Sequence, residues 1–327
     1  MTRTWFITGA NRGLGRAFTL AVLGAGDRVV ATARDPRTMA DLHDSRLTTL
    51  PLDVRDHAAV AATVDEAVAR TGGVDVVVNN AGFGLVGAVE ELAEADWREQ
   101  MEVNFFGALW VSQAFAPHLR ERGSGHIVQI STVGAVGSLP LFGAYNASKW
   151  ALEGFSAALA DELRPFGVHV TLAQLGGFDT DWAKSSMRFG VALPAYQLFR
   201  ENILGMPDYP DPHATGAGTP GPAESADPES TGTKPAAAQP KATEPAGSEP
   251  ASERPGEAEQ AGAAATEADE WSDAPPEVAA QGLLALVNMP NPPLRRVIGP
   301  TAHRMVTMAL EQRRVDYLTD PEFVWPA

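Results

Sequence analysis

The sequence has 327 residues, with 25 Lys and Arg against 41 Asp and Glu, and carries a formal net charge of -16. Because recognition of nucleic acids requires clustered basic residues, this acidic balance argues against a protein that binds DNA or RNA. Cysteine is absent, which excludes disulfides, cysteine-ligated zinc and thiol catalysis and fits a reducing cytoplasm.

The start of the chain predicts no export signal. Met1–Arg3 leads directly into the apolar segment Thr4–Ile7, without the longer apolar stretch and cleavage site of a signal peptide. The chain also lacks a run of about 18 apolar residues, the length of a membrane span. Its seven histidines lack metal-ligand spacing. We therefore expect a soluble, cytoplasmic protein with no metal ion and no membrane partner.

Short apolar runs alternate with helical patterns over the first half of the chain. The predicted strands are Trp5–Thr8, Val29–Ala33, Leu47–Leu52, Val74–Asn79, Ile127–Ser131 and Val168–Ala173. The predicted helices are Leu14–Leu23, His57–Arg70, Trp97–Arg120 and Ala147–Arg164. Strands rich in Val and Ile that alternate with helices are typical of a parallel sheet covered on both faces. We therefore predict an α/β protein with a doubly wound parallel sheet, the Rossmann fold.

The segment Asp211–Glu270 differs in composition from the rest of the chain. It contains no Val, Ile, Leu, Met, Phe, Trp or Tyr, and it holds nine prolines. Such a segment cannot bury enough apolar surface to offset its ordering entropy, so we predict a disordered insertion. Its twelve acidic and three basic residues supply a net -9 of the total -16, which leaves the remainder only mildly acidic.

The pattern of strands and helices resumes after this insertion. Glu277–Val287 predicts a helix, Arg295–Ile298 a strand and Ala302–Asp316 a closing helix. Without the insertion, roughly 265 residues remain, enough for one core. We predict a single domain, in which residues 1–206 form a dinucleotide-binding catalytic core and 274–327 complete it.

The turn after the first strand has the pattern of a phosphate-binding loop. Glycines in such a turn let the backbone approach a pyrophosphate, which binds to the N–H groups at the start of the following helix. The predicted contacts come from Thr8, Gly9, Asn11, Arg12, Gly13, Leu14 and Gly15.

Tyr145 and Lys149 form a candidate catalytic pair. Their spacing puts them one turn apart on one face of a predicted helix. A nearby ammonium favours a phenolate, so we expect Lys149 to lower the pKa of Tyr145 from its ordinary value of about 10. A tyrosine tuned in this way can donate a proton to a carbonyl oxygen, or remove one from an alcohol.

Three motifs in this order, TGxxxGxG from Thr8, NNAG from Asn79 and YxxxK from Tyr145, resemble the short-chain dehydrogenase/reductase family. The resemblance covers about Thr4–Met206 and implies a nicotinamide-dependent oxidoreductase. It also implies cofactor contacts from Asp53, Val54, Asn80, Ala81, Gly82, Tyr145, Lys149, Gly176 and Thr180.

The resemblance adds partners to the catalytic pair. Asn104 matches an asparagine that holds a water of the proton relay. The family also places a serine thirteen residues before the tyrosine, and this count leads to Thr132. Thr132 is therefore assigned to orient the substrate carbonyl. Ser131 is the alternative, although an extended strand would point it to the opposite face.

The predicted sixth strand is followed by a further departure from the family and by a lid. Where the family has proline-glycine, this chain has Leu175 and Gly176. The resemblance implies that residues 176–206 cover the substrate. Eight residues predict an apolar pocket for a hydrophobic ketone or secondary alcohol, with core packing as the alternative: Phe83, Leu139, Phe142, Phe178, Trp182, Phe189, Tyr196 and Phe199.

Two arginines favour NADPH as the cofactor. Enzymes that use NAD place an acid at the end of the second strand, where it binds the ribose 2′-OH. Here Ala33 fills that position, Arg34 follows it and Arg12 lies inside the glycine motif. Two guanidinium groups near the ribose would bind a 2′-phosphate, although Asp35 offsets Arg34 in part.

The sequence thus predicts NADPH-dependent reduction of a carbonyl to a secondary alcohol. An NAD-dependent alcohol dehydrogenase and a cofactor-binding protein without turnover are the alternatives. By resemblance, helices Trp97–Arg120 and Ala147–Arg164 would pair across the interface of a homodimer or homotetramer.

Overall fold

The structure is a computed structural model that describes residues 2–180, 186–210 and 273–324. The chain divides into two compact units. The first consists of Met1–Val191 and Asp273–Ala327, and the second of Ala192–Ser272. The predicted insertion at 211–270 lies outside the described residues. That the chain forms a single domain stays a prediction.

A seven-stranded parallel sheet forms the centre of the first unit. The strands in the described residues are β1 (Thr4–Thr8), β2 (Arg28–Ala33), β3 (Leu47–Pro51), β4 (Val76–Asn79), β5 (Gly84–Val86), β6 (Gly125–Thr132), β7 (Val168–Leu175), β8 (Met187–Phe189) and β9 (Arg295–Ile298). The order in the large sheet is β3-β2-β1-β4-β6-β7-β9, and β5 pairs with β8 in a separate parallel sheet. This order reverses between β1 and β4, where a doubly wound sheet opens a crevice for a ligand.

Helices cover the sheet. Those described in the first unit are α1 (Gly13–Gly24), α2 (His57–Thr71), α3 (Glu94–Met101), α4 (Gly107–Arg122), α5 (Gly143–Leu163), α7 (Pro276–Val287) and α8 (Ala302–Leu318), whereas α6 (Gln197–Leu204) belongs to the second unit. Side chains alternate along β1: Trp5 and Ile7 pack with Phe18 of α1 on one face. Phe6 packs on the other face with Phe115 of α4, at 4.9 Å between ring centroids. Both faces of the sheet are therefore buried, as the Val- and Ile-rich strands predict.

The predicted doubly wound fold is confirmed, with two local differences. The small β5–β8 sheet is not predicted, because three-residue strands leave too short a pattern in the sequence. The predicted helix Trp97–Arg120 is wrong as one continuous element, because a π-helical turn at Glu102–Phe106 separates α3 from α4. Such turns are common at functional sites, and this one contains Asn104.

The described part of the second unit folds around one arginine. Arg200 of α6 is 1 % exposed. Its guanidinium donates hydrogen bonds to the carbonyls of Leu193 (3.1 Å) and Pro207 (2.7 Å), and it lies 5.1 Å from the ring centroid of Tyr209. Two predicted lid aromatics, Tyr196 and Phe199, belong to this unit, and Trp182 lies outside the described residues.

Candidate active site

A cavity of about 850 Å³ lies within the first unit, at the carboxyl ends of the parallel strands. The turns that follow β1, β2, β3, β4, β6 and β7 all contribute to its lining, together with parts of α5 and α8. Most of the predicted site residues line it: Gly9, Asn11, Arg12, Gly13, Leu14, Gly15, Arg34, Asp53, Val54, Asn80, Ala81, Gly82, Ser131, Thr132, Tyr145, Lys149, Gly176 and Thr180. Thr8 and Asn104, each 1 % exposed, lie behind this surface.

The glycine loop, residues 8–15, follows a backbone path that larger residues could not adopt. Gly9 and Gly13 have φ values of +63° and +51°, in the left-handed region that favours glycine. A Cβ added at Gly15 would lie 2.2 Å from the carbonyl oxygen of Gly9. Above Gly13, in contrast, the one described residue that an added Cβ would meet within 4 Å is Thr180, at 3.8 Å. Among the described residues, helix α1 therefore begins beside open space where its N–H groups can bind a phosphate.

The NNAG turn supports this loop from behind. Asn80 donates through Nδ2 to the carbonyls of Thr8 (2.9 Å) and Gly9 (3.1 Å). The Thr8 hydroxyl accepts from the backbone N–H groups of Asn80 and Ala81, each at 3.0 Å. Thr8 thus fixes the loop, whereas Gly9 and residues 11–15 line the cavity.

After the end of β2, Asp35 and Arg37 form an ion pair. The carboxylate of Asp35 accepts from Nε and from Nη2 of Arg37, at distances down to 2.8 Å, and these hydrogen bonds hold the pKa of Asp35 below its ordinary value. Asp35 therefore offsets Arg34 less than its position in the sequence suggests. Arg34 itself is exposed and lines the cavity.

The part of the cavity after β3 contains a second acid–base pair. Asp53 binds Arg55 through both carboxylate oxygens, and hydrogen bonds from Arg55 lower the pKa of Asp53. Arg55 also contacts Glu99 of α3 at 3.3 Å. Glu99 in turn pairs with Arg188 of β8, so this network connects the end of β3 to the small β5–β8 sheet.

Tyr145 of α5 and Thr132 at the end of β6 line the cavity and are hydrogen-bonded to each other. The Thr132 hydroxyl also accepts from the N–H of Gly134, at 3.2 Å. Burial raises the pKa of Tyr145 to about 12, and the hydrogen bond with Thr132 acts in the opposite direction. The expected lowering of this pKa is therefore wrong, because removal of the phenolate from water outweighs the hydrogen bond with Thr132.

Lys149 lies beside Tyr145 but is held by the backbone. Its Nζ donates to the carbonyl of Ile130 at 2.7 Å and lies 6.0 Å from the centroid of the Tyr145 ring. Burial lowers the pKa of Lys149 to about 8, while the charge of Glu153 acts to raise it. In this pair, burial therefore raises the pKa of the phenol to about 12 and lowers the pKa of the lysine to about 8.

Asn104 and Ser131 are both engaged behind the site. Asn104, in the π-helical turn, accepts from the N–H of Phe83 (3.0 Å) and donates to its carbonyl (2.9 Å) and to Ser148 (3.2 Å). Ser131 donates to Glu153 at 2.7 Å. Thr132, and not Ser131, is thus the hydroxyl that contacts Tyr145.

Apolar side chains line part of the cavity. The predicted residues among them are Phe83, Leu139, Phe142 and Phe178. Met187 of β8 and Met305 and Ala309 of α8 extend this surface. Leu141, with φ +67°, is the described non-glycine residue in the left-handed region, and its carbonyl accepts from the N–H of Gly87 at 2.7 Å. That contact ties the loop before Tyr145 to the end of β5.

The described residues contain neither a membrane-spanning helix nor a cluster of metal ligands. No helix among them has the length and apolarity to span a membrane. Within residues 2–180, 186–210 and 273–324, no cluster of three or more acidic, histidine or cysteine side chains could hold a metal ion.

Comparison with protein families gives this site a context. A family model described as short chain dehydrogenase matches residues 3–189. The chain belongs to this family. Like other short-chain dehydrogenases, it is therefore an oxidoreductase that binds a nicotinamide cofactor.

Curated relatives of this short-chain dehydrogenase include an oxidoreductase of Botryotinia fuckeliana, 42% identical over 201 residues that cover 60% of this chain and 73% of that protein. Human 17-beta-hydroxysteroid dehydrogenase type 1 is 38% identical over 62% of this chain and 60% of its own. The 3-ketodihydrosphingosine reductase of Bacteroides thetaiotaomicron is 37% identical over 53% of this chain and 63% of its own.

Solved structures agree with the fold. A short-chain dehydrogenase from Streptomyces avermitilis has a TM-score of 0.73 at 29% identity and covers 97% of this chain and 95% of its own. A metagenomic short-chain oxidoreductase in complex with NADP has a TM-score of 0.51 at 32% identity, over 53% and 82% of the two chains. One from Burkholderia phymatum in complex with NAD has a TM-score of 0.54 at 30% identity, over 56% and 69%.

Sequence reasoning does not identify several residues of this short-chain dehydrogenase site. The sequence does contain a signal for Glu153, because this residue follows Lys149 by four positions and so lies on the same helix face. Arg188, Met305 and Ala309 have none, since β8 and α8 reach the cavity through tertiary packing.

The lowered pKa of Lys149 in this short-chain dehydrogenase predicts how stability depends on pH. Between its folded pKa of about 8 and its ordinary 10.5, the unfolded chain binds more protons, so the free energy of unfolding rises with pH. Below about pH 8 both states carry the ammonium, and the cost of burying it is present in full. At about 1.4 kcal/mol per pKa unit, we expect wild type to gain about 2 to 3 kcal/mol over Lys149→Met from about pH 7 to about pH 10. Urea unfolding at a series of pH values measures this gain, and a difference that is constant with pH would contradict it.

Proposed function

We propose that the protein is an NADPH-dependent reductase that converts a hydrophobic ketone to a secondary alcohol, reversibly, with Tyr145 as the general acid. The observation that carries this proposal is the hydrogen-bonded pair of Thr132 and Tyr145 in a cavity that continues to the glycine loop. The residues present fit a nicotinamide dinucleotide, because the open space at Gly13 lies at the start of α1. When bound, the cofactor supplies the hydride.

Four residues have parts in the proton transfer. Thr132 donates a hydrogen bond that orients the substrate carbonyl. Tyr145 donates its proton to the carbonyl oxygen, and a pKa of about 12 means that the phenol is protonated at neutral pH, as reduction requires. Lys149 then stabilises the phenolate with its ammonium. Asn104 holds the Phe83 backbone in place and, as the resemblance implies, a water from which Tyr145 is protonated again.

The apolar end of the cavity supports a hydrophobic substrate. Phe142, Phe178 and Met305 line the cavity that contains Tyr145, and the centroid of the Phe142 ring lies 6.4 Å from that of the Tyr145 ring. Burial of apolar surface in this cavity favours a substrate with a hydrocarbon body. Relatives named for a hydroxysteroid and for 3-ketodihydrosphingosine agree with this class.

A panel of steroid, long-chain and aromatic ketones, assayed for oxidation of NADPH, tests the proposal. A protein that binds NADPH but reduces none of these ketones would contradict it. A homo-oligomeric state and a cytoplasmic location stay predictions.

Arg12 and Arg34 are proposed to select NADPH over NADH. Both residues line the cavity, and Asp35 is paired with Arg37, which supports this selection. A charge-assisted hydrogen bond contributes about 1.5 to 3 kcal/mol. We therefore expect Arg12→Ala and Arg34→Ala each to raise the KM for NADPH by about tenfold to a hundredfold, with little change for NADH.

The matched control for these variants is Arg28→Ala. Arg28 is exposed at the opposite end of β2 from Arg34, so its loss changes the net charge equally without touching the ribose site. A preference for NADH in the wild type would favour the NAD-dependent alternative.

A further inference from the structure

A buried carboxylate lies one helical turn beyond Lys149. Glu153 is 7 % exposed, and α5 places it on the helix face that carries Tyr145 and Lys149. Burial of a carboxylate is unfavourable unless other groups satisfy its charge and its lone pairs. The surroundings of Glu153 are therefore informative about why a charge is held at this position.

Three strands supply the partners of Glu153. Ser131 of β6 donates to Oε1 at 2.7 Å, and Gln174 of β7 donates to the same oxygen at 3.0 Å. Arg295 of β9 donates from Nε to Oε2 at 2.8 Å. Both carboxylate oxygens are thus engaged, and this contact connects the catalytic helix to a strand that follows residues 211–272 in the chain.

The same contacts fix the strand ends that reach the cavity. Ser131 is directed toward Glu153, and because side chains alternate along a strand, the next residue, Thr132, faces Tyr145. Gln174 likewise immediately precedes Leu175 and Gly176 at the end of β7. The carboxylate therefore holds β6 and β7 in the orientation that the site requires.

Few charged groups surround Lys149 in the described residues. In the described part of the chain, the titratable or charged groups around it are Tyr145 and Glu153 on α5 and, beyond Glu153, Arg295 on β9. The neighbours from β6 and β7 are uncharged. The charge of Glu153 acts to raise the pKa of Lys149. Arg295, with a side chain 46% exposed, pairs with Glu153 and so reduces its field at Lys149.

We propose that Glu153 is a positioning residue that keeps Lys149 in its ammonium form, and that Arg295 sets the strength of this effect. The proposal rests on the function proposed above, in which Lys149 must carry a positive charge to stabilise the Tyr145 phenolate. Substitutions at the two positions should then change the titration of Lys149 in opposite directions. A purely structural role would not produce opposite signs.

The titration of Lys149 can be followed directly. The chain has four lysines, at 149, 184, 234 and 241, so lysine labelled with ¹³C at Cε gives few NMR signals, and Lys149→Met assigns the one of interest. Loss of the negative charge in Glu153→Gln should lower the pKa of Lys149 by about one unit, and loss of the positive charge in Arg295→Gln should raise it by about half a unit. Arg296→Gln, an exposed neighbour on β9, should leave it unchanged.

A kinetic measurement accompanies the titration. For a ketone found in the panel, the fall in reduction rate at high pH should begin at lower pH in Glu153→Gln and at higher pH in Arg295→Gln. If the wild type reduces no ketone, the proposed function fails, whereas the NMR titration still decides on Glu153. A Lys149 midpoint that is the same in all variants, or that moves in one direction in both, would overturn the proposal. If Glu153→Gln does not fold, Arg295→Gln compared with Arg296→Gln decides it.

Discussion

A Tyr145→Phe variant is expected to lose turnover and to keep its affinity for the cofactor. Phenylalanine preserves the ring and its packing but removes the proton donor. General acid catalysis contributes about 10²- to 10⁴-fold to a rate, so kcat should fall by about that factor. The Thr132 hydroxyl cannot take over, because the proton would have to leave a group with a far higher pKa than a phenol. The Kd for NADPH, measured by the change in its fluorescence, should stay within a few-fold of the wild type.

Tyr317→Phe is the matched control. Tyr317 lies on α8 with 53% exposure, and loss of its hydroxyl should affect neither kcat nor the Kd. Full turnover in Tyr145→Phe would remove this tyrosine from the mechanism. A loss of cofactor binding together with turnover would instead indicate a structural role for the hydroxyl.

The fold could be predicted because its signal is distributed along the chain. β1 shows this: Trp5, Phe6 and Ile7 are fully buried on alternating faces, and such strands appear in sequence as apolar runs. Even β9, beyond the insertion, was predicted at its observed bounds. The π-helical turn at Glu102–Phe106 could not be predicted, because it changes the local hydrogen bonding without changing the apolar pattern.

The candidate site was predictable in its residues more than in its electrostatics. The spacing of Tyr145 and Lys149 placed them together, and counting led to Thr132, which does contact Tyr145. The predicted direction of the Tyr145 pKa was wrong, because the spacing does not reveal the burial that raises this pKa. Glu153 shows the same limit, since its partners Gln174 and Arg295 come from strands that meet it only in the folded sheet.

A Gly15→Ala variant should lose both stability and cofactor binding. A Cβ at this position would lie 2.2 Å from the Gly9 carbonyl oxygen and 2.5 Å from Nδ2 of Asn80. The nearest atom belongs to the backbone, so no rotamer change relieves the overlap, and the glycine loop must move away from α1. Overpacking of this kind costs about 1 to 3 kcal/mol, and the displaced loop takes with it the N–H groups that would bind the pyrophosphate. We expect a lower Tm and a Kd for NADPH at least about tenfold higher, since each 1.4 kcal/mol of lost binding is tenfold.

Gly24→Ala provides the control within the same helix. A Cβ at Gly24 would have no atom within 4 Å among the described residues. Because alanine favours a helix over glycine by up to about 1 kcal/mol, this variant should match or exceed the wild type in Tm and bind NADPH equally. If Gly15→Ala behaves like Gly24→Ala, the close approach of α1 to the Gly9 carbonyl is not what holds the cofactor loop in place. If only the Kd changes while the Tm stays constant, the loop moves without loss of packing, and the glycine serves the ligand and not the fold.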